Sequence, residues 1–283
     1  MRTGNNLSLF SLTALFVFLY LHLESLFLLC AAPVRAMIIL LTNDDGIYSE
    51  GLQCLEDALK SIGEIWIVAP ERAQNAVGRS LTLHRPLRTT HLTERKIMVN
   101  GTPSDCVYLA LHGLLPEKPG IVVSGINKGA NMGDDIPYSG TVAAAFEATI
   151  WGIPACAVSL YGKKSFSFTP AAQFTARVVR AVFTHGLPYG VFLNINVPDT
   201  GGKEITSFAI TKQGKSIYEE HIEQRVNPRG ETYYWIGGDG TRFEPIPGSD
   251  ADAVLLNDCA SITPLRTNWT DFAFIDVLKK WDI

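Results

Sequence analysis

From Ile38 onward one repeating pattern leaves this chain little choice of architecture. Short, nearly unbroken apolar runs alternate with stretches whose apolar residues recur every three or four positions. The runs are Ile38–Leu41, Ile65–Val68, Ile121–Val123, Ala155–Leu160 and Phe192–Val197. A strand buried on one face alternates apolar and polar residues. These do not, so their sheet must be covered on both faces. Between the runs, Glu50–Ser61 sets Leu52, Leu55 and Leu59 on one helical stripe. Pro103–Leu115, Thr141–Ile150 and Pro170–Phe183 have helical character, the first with Thr102 as cap and Pro103 in the opening turn. Strands alternating with helices make parallel βαβ units. The expected fold is α/β: a three-layer α/β/α, doubly wound, mostly parallel sheet over residues 37–200.

After residue 200 the texture changes. Thr206–Thr211 and Thr232–Ile236 look extended, and Asn227-Pro228-Arg229-Gly230 lies between them. Glycine and proline crowd residues 237–248. Residues 201–283 are therefore expected to supply a β-rich projecting arm, then a closing strand at Ser261–Pro264 and a closing helix at Trp269–Trp281 of the same domain. An arm that cannot bury both of its faces suggests subunit contact, so a homodimer or homotetramer is expected. Tyr233 and Trp235 suit interface packing better than base stacking.

The first 36 residues stand apart. Leu12–Leu21 is apolar except for Thr13, and Cys30-Ala31-Ala32 resembles a loose cleavage site. The run is too short for a clean bilayer span, and only Arg2 and the amino terminus are positive. Met37 stands directly before the first core strand, so we take it as the true start and the location as cytoplasmic. Export through a signal segment is the alternative. In either case no membrane association is expected for residues 37–283. The length of 283 residues, 47% apolar and 18% charged, excludes a disordered, collagenous or coiled-coil chain. A net charge of −4 provides no electrostatic footprint for nucleic acid. Cys54, Cys106, Cys156 and Cys259 are scattered and read as reduced thiols.

Ligands of a doubly wound sheet collect beyond the carboxyl ends of its strands. The first expected strand ends in Thr42-Asn43-Asp44-Asp45-Gly46. Adjacent carboxylates repel each other, and a hard divalent ion with a taste for oxygen, Mg²⁺ or Mn²⁺, relieves that repulsion. One capping aspartate beside a solvated one is the simpler alternative. The second strand leads into a polar loop, Pro70 to Ser80, where Asn75 offers an amide oxygen and Arg72 and Arg79 offer charge. The third leads into Ser124-Gly125-Ile126-Asn127-Lys128-Gly129-Ala130-Asn131, with Asn127 and Asn131 as neutral oxygen donors. Tyr138-Ser139-Gly140-Thr141 then opens an alanine-rich helix, and such an N-terminus suits a phosphate. His84, His91, His112, His185 and His221 lack metal-ligand spacing and stay outside the site.

Taken together, these segments resemble the SurE family. The resemblance is carried by Asn43-Asp44-Asp45-Gly46, Val68-Ala69-Pro70-Glu71-Arg72, Asn100–Val107, Ser124–Ala145, Leu193–Pro198 and Ser261–Leu265. It implies a divalent-metal-dependent phosphatase of nucleoside monophosphates, with one Mg²⁺ or Mn²⁺ per subunit. It implies Asp44, Asp45 and Asn127 as metal ligands, with Asp44 and Asp45 catalytic. The family's loop ligand is usually a serine. Asn75 stands at that position here, and an amide oxygen can still ligate. Asn131, Ser139, Gly140 and Thr141 would surround the phosphate, and the arm would serve assembly. The expected reaction is hydrolysis of a nucleoside 5′-monophosphate to nucleoside and phosphate. The alternatives are a nucleotide-sugar or phosphate-transfer enzyme, or a nucleotide-binding regulatory module. The latter would gain little from paired acids facing an anion.

Overall fold

The apolar runs do become the centre of one sheet, in the computed structural model that describes residues 37–162, 166–218, 221–237 and 242–283. The N-terminal extension, and with it the signal-like segment, lies outside the described residues. In chain order the first half comprises β1 (Ile38–Thr42), α1 (Glu50–Leu59), β2 (Glu64–Pro70), β3 (Thr89–His91), β4 (Lys96–Val99), α2 (Pro103–Leu109) and β5 (Ile121–Lys128). It continues with α3 (Gly140–Ile150), β6 (Ala155–Tyr161), α4 (Phe168–His185), β7 (Val191–Pro198) and β8 (Phe208–Ile210). The remainder is β9 (Lys215–Ile217), β10 (His221–Val226), β11 (Thr232–Gly237), β12 (Arg242–Glu244), α5 (Asp250–Leu255), β13 (Ala260–Arg266) and α6 (Phe272–Leu278).

The main sheet runs β3-β4-β2-β1-β5-β6-β7-β13-β8. From β4 through β7 all neighbours are parallel, and β3 and β13 enter antiparallel at the two flanks. β1 is flanked by β2 on one side and β5 on the other. The chain first builds outward from β1 through α1 to β2, then returns past β1 to begin β5. The strand order therefore reverses between β1 and β5, and a crevice opens beyond their carboxyl ends.

Each central strand feeds two cores. Ile39, Leu41, Ile67, Val123 and Val158 face α1 and α4, where Leu52, Leu55, Leu59, Val179 and Val182 meet them. Ile38, Leu40, Val68, Val122 and Ala157 face α2 and α3, against Val107, Ala144, Ala145 and Ala148. This two-sided burial is why the strand sequences show no polar alternation. The leucine stripe of α1 is wholly buried, so Leu55→Ala would cost about 2–5 kcal/mol. α3 is small-residued on purpose of packing: its alanines let it lie close on β5 and β6.

The structure differs from the sequence expectation in three places. The helix expected over 103–115 ends at Leu109 and widens into a π turn over Ala110–Leu114. Of the residues expected to project, β8 instead joins the main sheet beside β13, while β10–β11 and β9–β12 form separate two-stranded ribbons. The closing helix is only seven residues long, and none of them is buried. Among the described residues, no helix is long and apolar enough to cross a membrane.

Candidate active site

Asp44 and Asp45 leave the end of β1 directly into the crevice. Asp44 is only 6% exposed. Its Oδ1 accepts from the Thr141 hydroxyl at 2.5 Å, and its Oδ2 accepts from the Thr141 backbone N–H at 3.2 Å. The start of α3 thus already holds one carboxylate at its positive end. Gly140 makes this approach possible: a Cβ there would stand 2.9 Å from the Asp44 Cβ and 3.1 Å from its Oδ2. Ser139 caps the same helix, its Oγ accepting from the Val142 N–H at 3.1 Å.

Asp45 is half-buried and turns the other way, toward β5. Its Oδ2 accepts from the Lys128 N–H at 3.2 Å, which brings it beside Asn127. The pairing of β5 with β6 shifts register across Gly125 and Ile126 and resumes with Asn127 opposite Ser159, at the strand end. The Asn127 amide donates from Nδ2 to the Gly129 carbonyl at 2.8 Å. Its oxygen accepts no hydrogen bond among the described residues, which leaves it available to a cation.

Burial pushes the Asp44 carboxyl up to about 6; the Thr141 hydrogen bond opposes this and the Asp45 charge reinforces it. Burial also raises Asp45, against the Lys128 N–H and its charge. Neither acid forms an ion pair among the described residues. Two neighbouring desolvated acids are costly, and the Lys128 charge offsets Asp45 only in part. A divalent cation is the group that fits them, because it supplies the missing positive charge and takes carboxylate and amide oxygens alike.

The loop after β2 is laced onto this corner. Gln74 N–H donates to the Asp44 carbonyl at 2.7 Å, and Gly78 N–H to the Tyr138 carbonyl at 2.9 Å. Thr82 is held by Asp105, through its N–H at 2.8 Å and its hydroxyl at 2.6 Å. Asn75 is exposed and lies in the segment between the first two ties, one anchored to Asp44 and the other to Tyr138. No hydrogen bond engages its side chain among the described residues.

Asn131 is fixed from below by a buried amide cluster that the sequence reading did not place in the site. Asn196 accepts from the Asn131 N–H at 2.8 Å and donates to its carbonyl at 3.0 Å. Asn194 donates to the same carbonyl at 2.9 Å. Asn131 Nδ2 donates to Ser159 Oγ at 2.7 Å. A signal for this existed: Asn194 and Asn196 interrupt an otherwise apolar strand on the same face, and buried amides need partners. The structure therefore brings Asp44, Asp45, Asn127, Asn131, Ser139, Gly140 and Thr141 to one end of the sheet, with the Asn75 loop across it.

Fold and site define a doubly wound α/β protein with paired carboxylates at its topological switch point. The chain matches the family model described as "Survival protein SurE" over residues 39–220. It is 50% identical to the 5′-nucleotidase SurE of Geotalea daltonii, over 87% of this chain and all of that one. It is 49% identical to the 5′-nucleotidase SurE of Geobacter sulfurreducens, over 87% of this chain and 94% of that one. The crystal structure of the SurE protein from Aquifex aeolicus superposes with a TM-score of 0.75 at 38% identity, over 86% of this chain and 98% of that one. The chain belongs to the SurE family.

Proposed function

We propose that this protein is a metal-dependent 5′-nucleotidase, which cleaves nucleoside 5′-monophosphates to nucleoside and phosphate. The observation that carries the reading is the pair of desolvated carboxylates, Asp44 and Asp45, gathered with Asn127 at the switch point beside the start of α3. The similarity to relatives named 5′-nucleotidase supports it. In this reading Asp44, Asp45, Asn127 and Asn75 hold one Mg²⁺ or Mn²⁺. Such an ion, when bound, neutralises phosphate charge and acidifies a bound water.

The chain's own groups do the rest. Asn131, Ser139, Gly140 and Thr141 border the place for the phosphoryl oxygens and orient them with fixed dipoles. Thr141 holds both oxygens of Asp44, which fixes that carboxylate as a ligand. Asp45 is tied through Oδ2 alone and is half-exposed, so its other oxygen is the better placed to accept the proton of an attacking water. Water adds to phosphorus as the bond to the nucleoside 5′-oxygen breaks, and that oxygen takes a proton from solvent. Residues 37–200 form the catalytic core in this proposal. Residues 201–283 contribute an assembly arm as well as the closing strand and helix, and the active form is a homodimer or homotetramer. A cytoplasmic location belongs to the same reading and is supported by the four described cysteines, all free thiols.

Phosphate release from AMP, GMP and UMP by the full chain, with Mg²⁺, Mn²⁺ or EDTA, tests the reading. Release with either metal and none with EDTA is expected. Phosphate transfer to an acceptor without free phosphate would support a transferase instead. Tight nucleotide binding without turnover would support a regulatory module.

A further inference from the structure

Asp250 is a buried carboxylate to which the nucleotidase reading gives no task. It opens α5 and is fully shielded from solvent. Among the described residues its hydrogen-bond donors are all backbone N–H groups, and it forms no ion pair. Oδ1 accepts from Ala251 at 2.8 Å and from Gly214 at 2.9 Å. Oδ2 reaches across 117 residues to accept from the Gly133 N–H at 3.0 Å. Burial raises this carboxyl, and the N–H groups of Gly133, Ala251 and Gly214 oppose the rise. Capping does not explain the arrangement, because Ser249 already caps α5 through the Asp252 N–H. An acid buried at a cost to stability therefore serves the long-range bond to Gly133.

Gly133 follows Asn131 by two residues, and the root of the arm locks the turn between them. Gln213 Nε2 donates to the Gly133 carbonyl at 2.9 Å. The Ser216 hydroxyl accepts from the Asp134 N–H at 3.0 Å and donates to the Met132 carbonyl at 3.4 Å. The Ser216 N–H donates to the Asp134 carboxylate at 3.1 Å. Only glycine allows so close an approach at 133. Its φ is +55°, and a Cβ there would stand 2.7 Å from the Lys215 carbonyl carbon. Asn131 is thus secured on two sides: Asn194 and Asn196 hold its own backbone, while Asp250 and Ser216 hold the turn that follows.

We propose that Asp250 is a positioning residue for the phosphate site, which fixes Asn131 through the turn over residues 132–134. The proposal rests on the nucleotidase reading above, in which Asn131 orients the phosphoryl oxygens. Fixed dipoles assist a reaction only when they need not reorganise as charge develops. With the tie to Gly133 gone, the turn is held on one side and Asn131 can tilt. Asp250 acts through the backbone alone, so the metal ligands keep their places when it is changed.

The test uses Asp250→Asn in the full chain. The variant keeps the shape but turns one oxygen into an N–H₂ donor. With its amide oxygen toward the Gly214 and Ala251 N–H groups, the bond it loses is the one to Gly133. The KM for AMP and the inhibition constant of inorganic phosphate should rise together by about tenfold, short of the roughly hundredfold that a displacement of about 1 Å can cost. The dissociation constant for Mn²⁺, read by equilibrium dialysis, should not move. Ser216→Ala removes both hydroxyl bonds with little change in volume and should shift the same two constants in the same direction by a smaller factor. It decides the matter alone if circular dichroism shows Asp250→Asn unfolded. Asp252→Ala is the control: it loosens α5 by removing the acceptor of the Gly248 N–H but leaves the turn untouched, so phosphate inhibition should stay at the wild-type value. A lower melting temperature in Asp250→Asn with unchanged phosphate inhibition would overturn the proposal and leave a purely structural acid. So would an equal weakening of Mn²⁺ binding, or the same kinetic loss in Asp252→Ala. A wild type that releases no phosphate from any nucleotide would sink the nucleotidase reading and this proposal with it, whereas an active wild type with indifferent variants sinks the proposal alone.

Discussion

Asp44 carries two opposing demands. Burial raises its folded pKa to about 6 from 3.8, so the fold favours the protonated acid. In the metal-free protein that contribution is complete below pH 4 and is lost as the pH rises through 6. The difference is worth on the order of 3 kcal/mol. A cation reverses the preference, since it binds the ionised form. The apparent affinity for Mn²⁺, read by equilibrium dialysis, should therefore climb about tenfold per pH unit up to pH 6 and level off above it. A flat profile from pH 5 to 7 would show that Asp44 is not a ligand. The companion prediction concerns Asp44→Asn, which keeps the shape and removes the desolvated charge. In EDTA at pH 8 it should melt at or above the wild-type temperature, yet it should release no phosphate from AMP with any metal. A lower melting temperature together with retained activity would assign the residue to the fold alone.

At the scale of elements, the site depends on how closely α3 approaches the end of β1 and on how firmly the Asn131 turn is held. Gly140→Ala forces a methyl group to within 3.1 Å of Asp44 Oδ2 and 3.2 Å of the Pro103 ring. Overpacking of this kind costs about 1–3 kcal/mol, and here it also pushes the carboxylate off the helix start. A drop in melting temperature accompanied by a fall in kcat is expected. Asn196→Ala removes two of the three side-chain ties to the Asn131 backbone, leaving that from Asn194, and should cost roughly 1–3 kcal/mol, with a higher KM for AMP, whereas Lys60→Ala on the exposed end of α1 should change neither. Much of this was legible beforehand. β1, β2, β5, β6 and β7 announce themselves as apolar runs, and α1 by its leucine stripe. The oxygen donors at three strand ends were visible because a doubly wound sheet fixes where to look. β3 was not, since Thr89, Thr90 and His91 are all exposed. β4 was too short, with Lys96 and Met98 diluting its apolar pattern. α5 was overlooked although Ser249 caps it through the Asp252 N–H at 3.1 Å, a signature present in Ser249-Asp250-Ala251-Asp252. The partners of Asp44 were beyond reach, because a contact across 97 residues with Thr141 is a property of the sheet order and not of any local pattern.

For the molecule as a whole, the ribbon of β10 and β11 poses the remaining question. Among the described residues its strands pair only with each other, and an isolated two-stranded ribbon is marginal in water. The register sets Ile222 opposite Ile236 and Gln224 opposite Tyr234. Alternation along each strand therefore gathers Ile222, Val226, Tyr234 and Ile236 on one face. All four are exposed, Ile236 at 92%. Glu223, Arg225 and Tyr233 occupy the other face with Trp235, so the ribbon has one apolar side and one mixed side. A monomer gains nothing from presenting that apolar side to water, whereas a second copy of the chain would cover it and stabilise the ribbon in the same step. Ile222→Asp combined with Ile236→Asp should therefore shift sedimentation velocity to a smaller species at equal protein concentration, with far-ultraviolet circular dichroism essentially unchanged. The carboxylates, Asn127 and α3 all come from one chain and from elements remote in sequence from the ribbon. Phosphate release per subunit should consequently survive the change. An unaltered sedimentation coefficient would remove the ribbon from the assembly, and a dissociated but inactive enzyme would mean that a partner subunit completes the site.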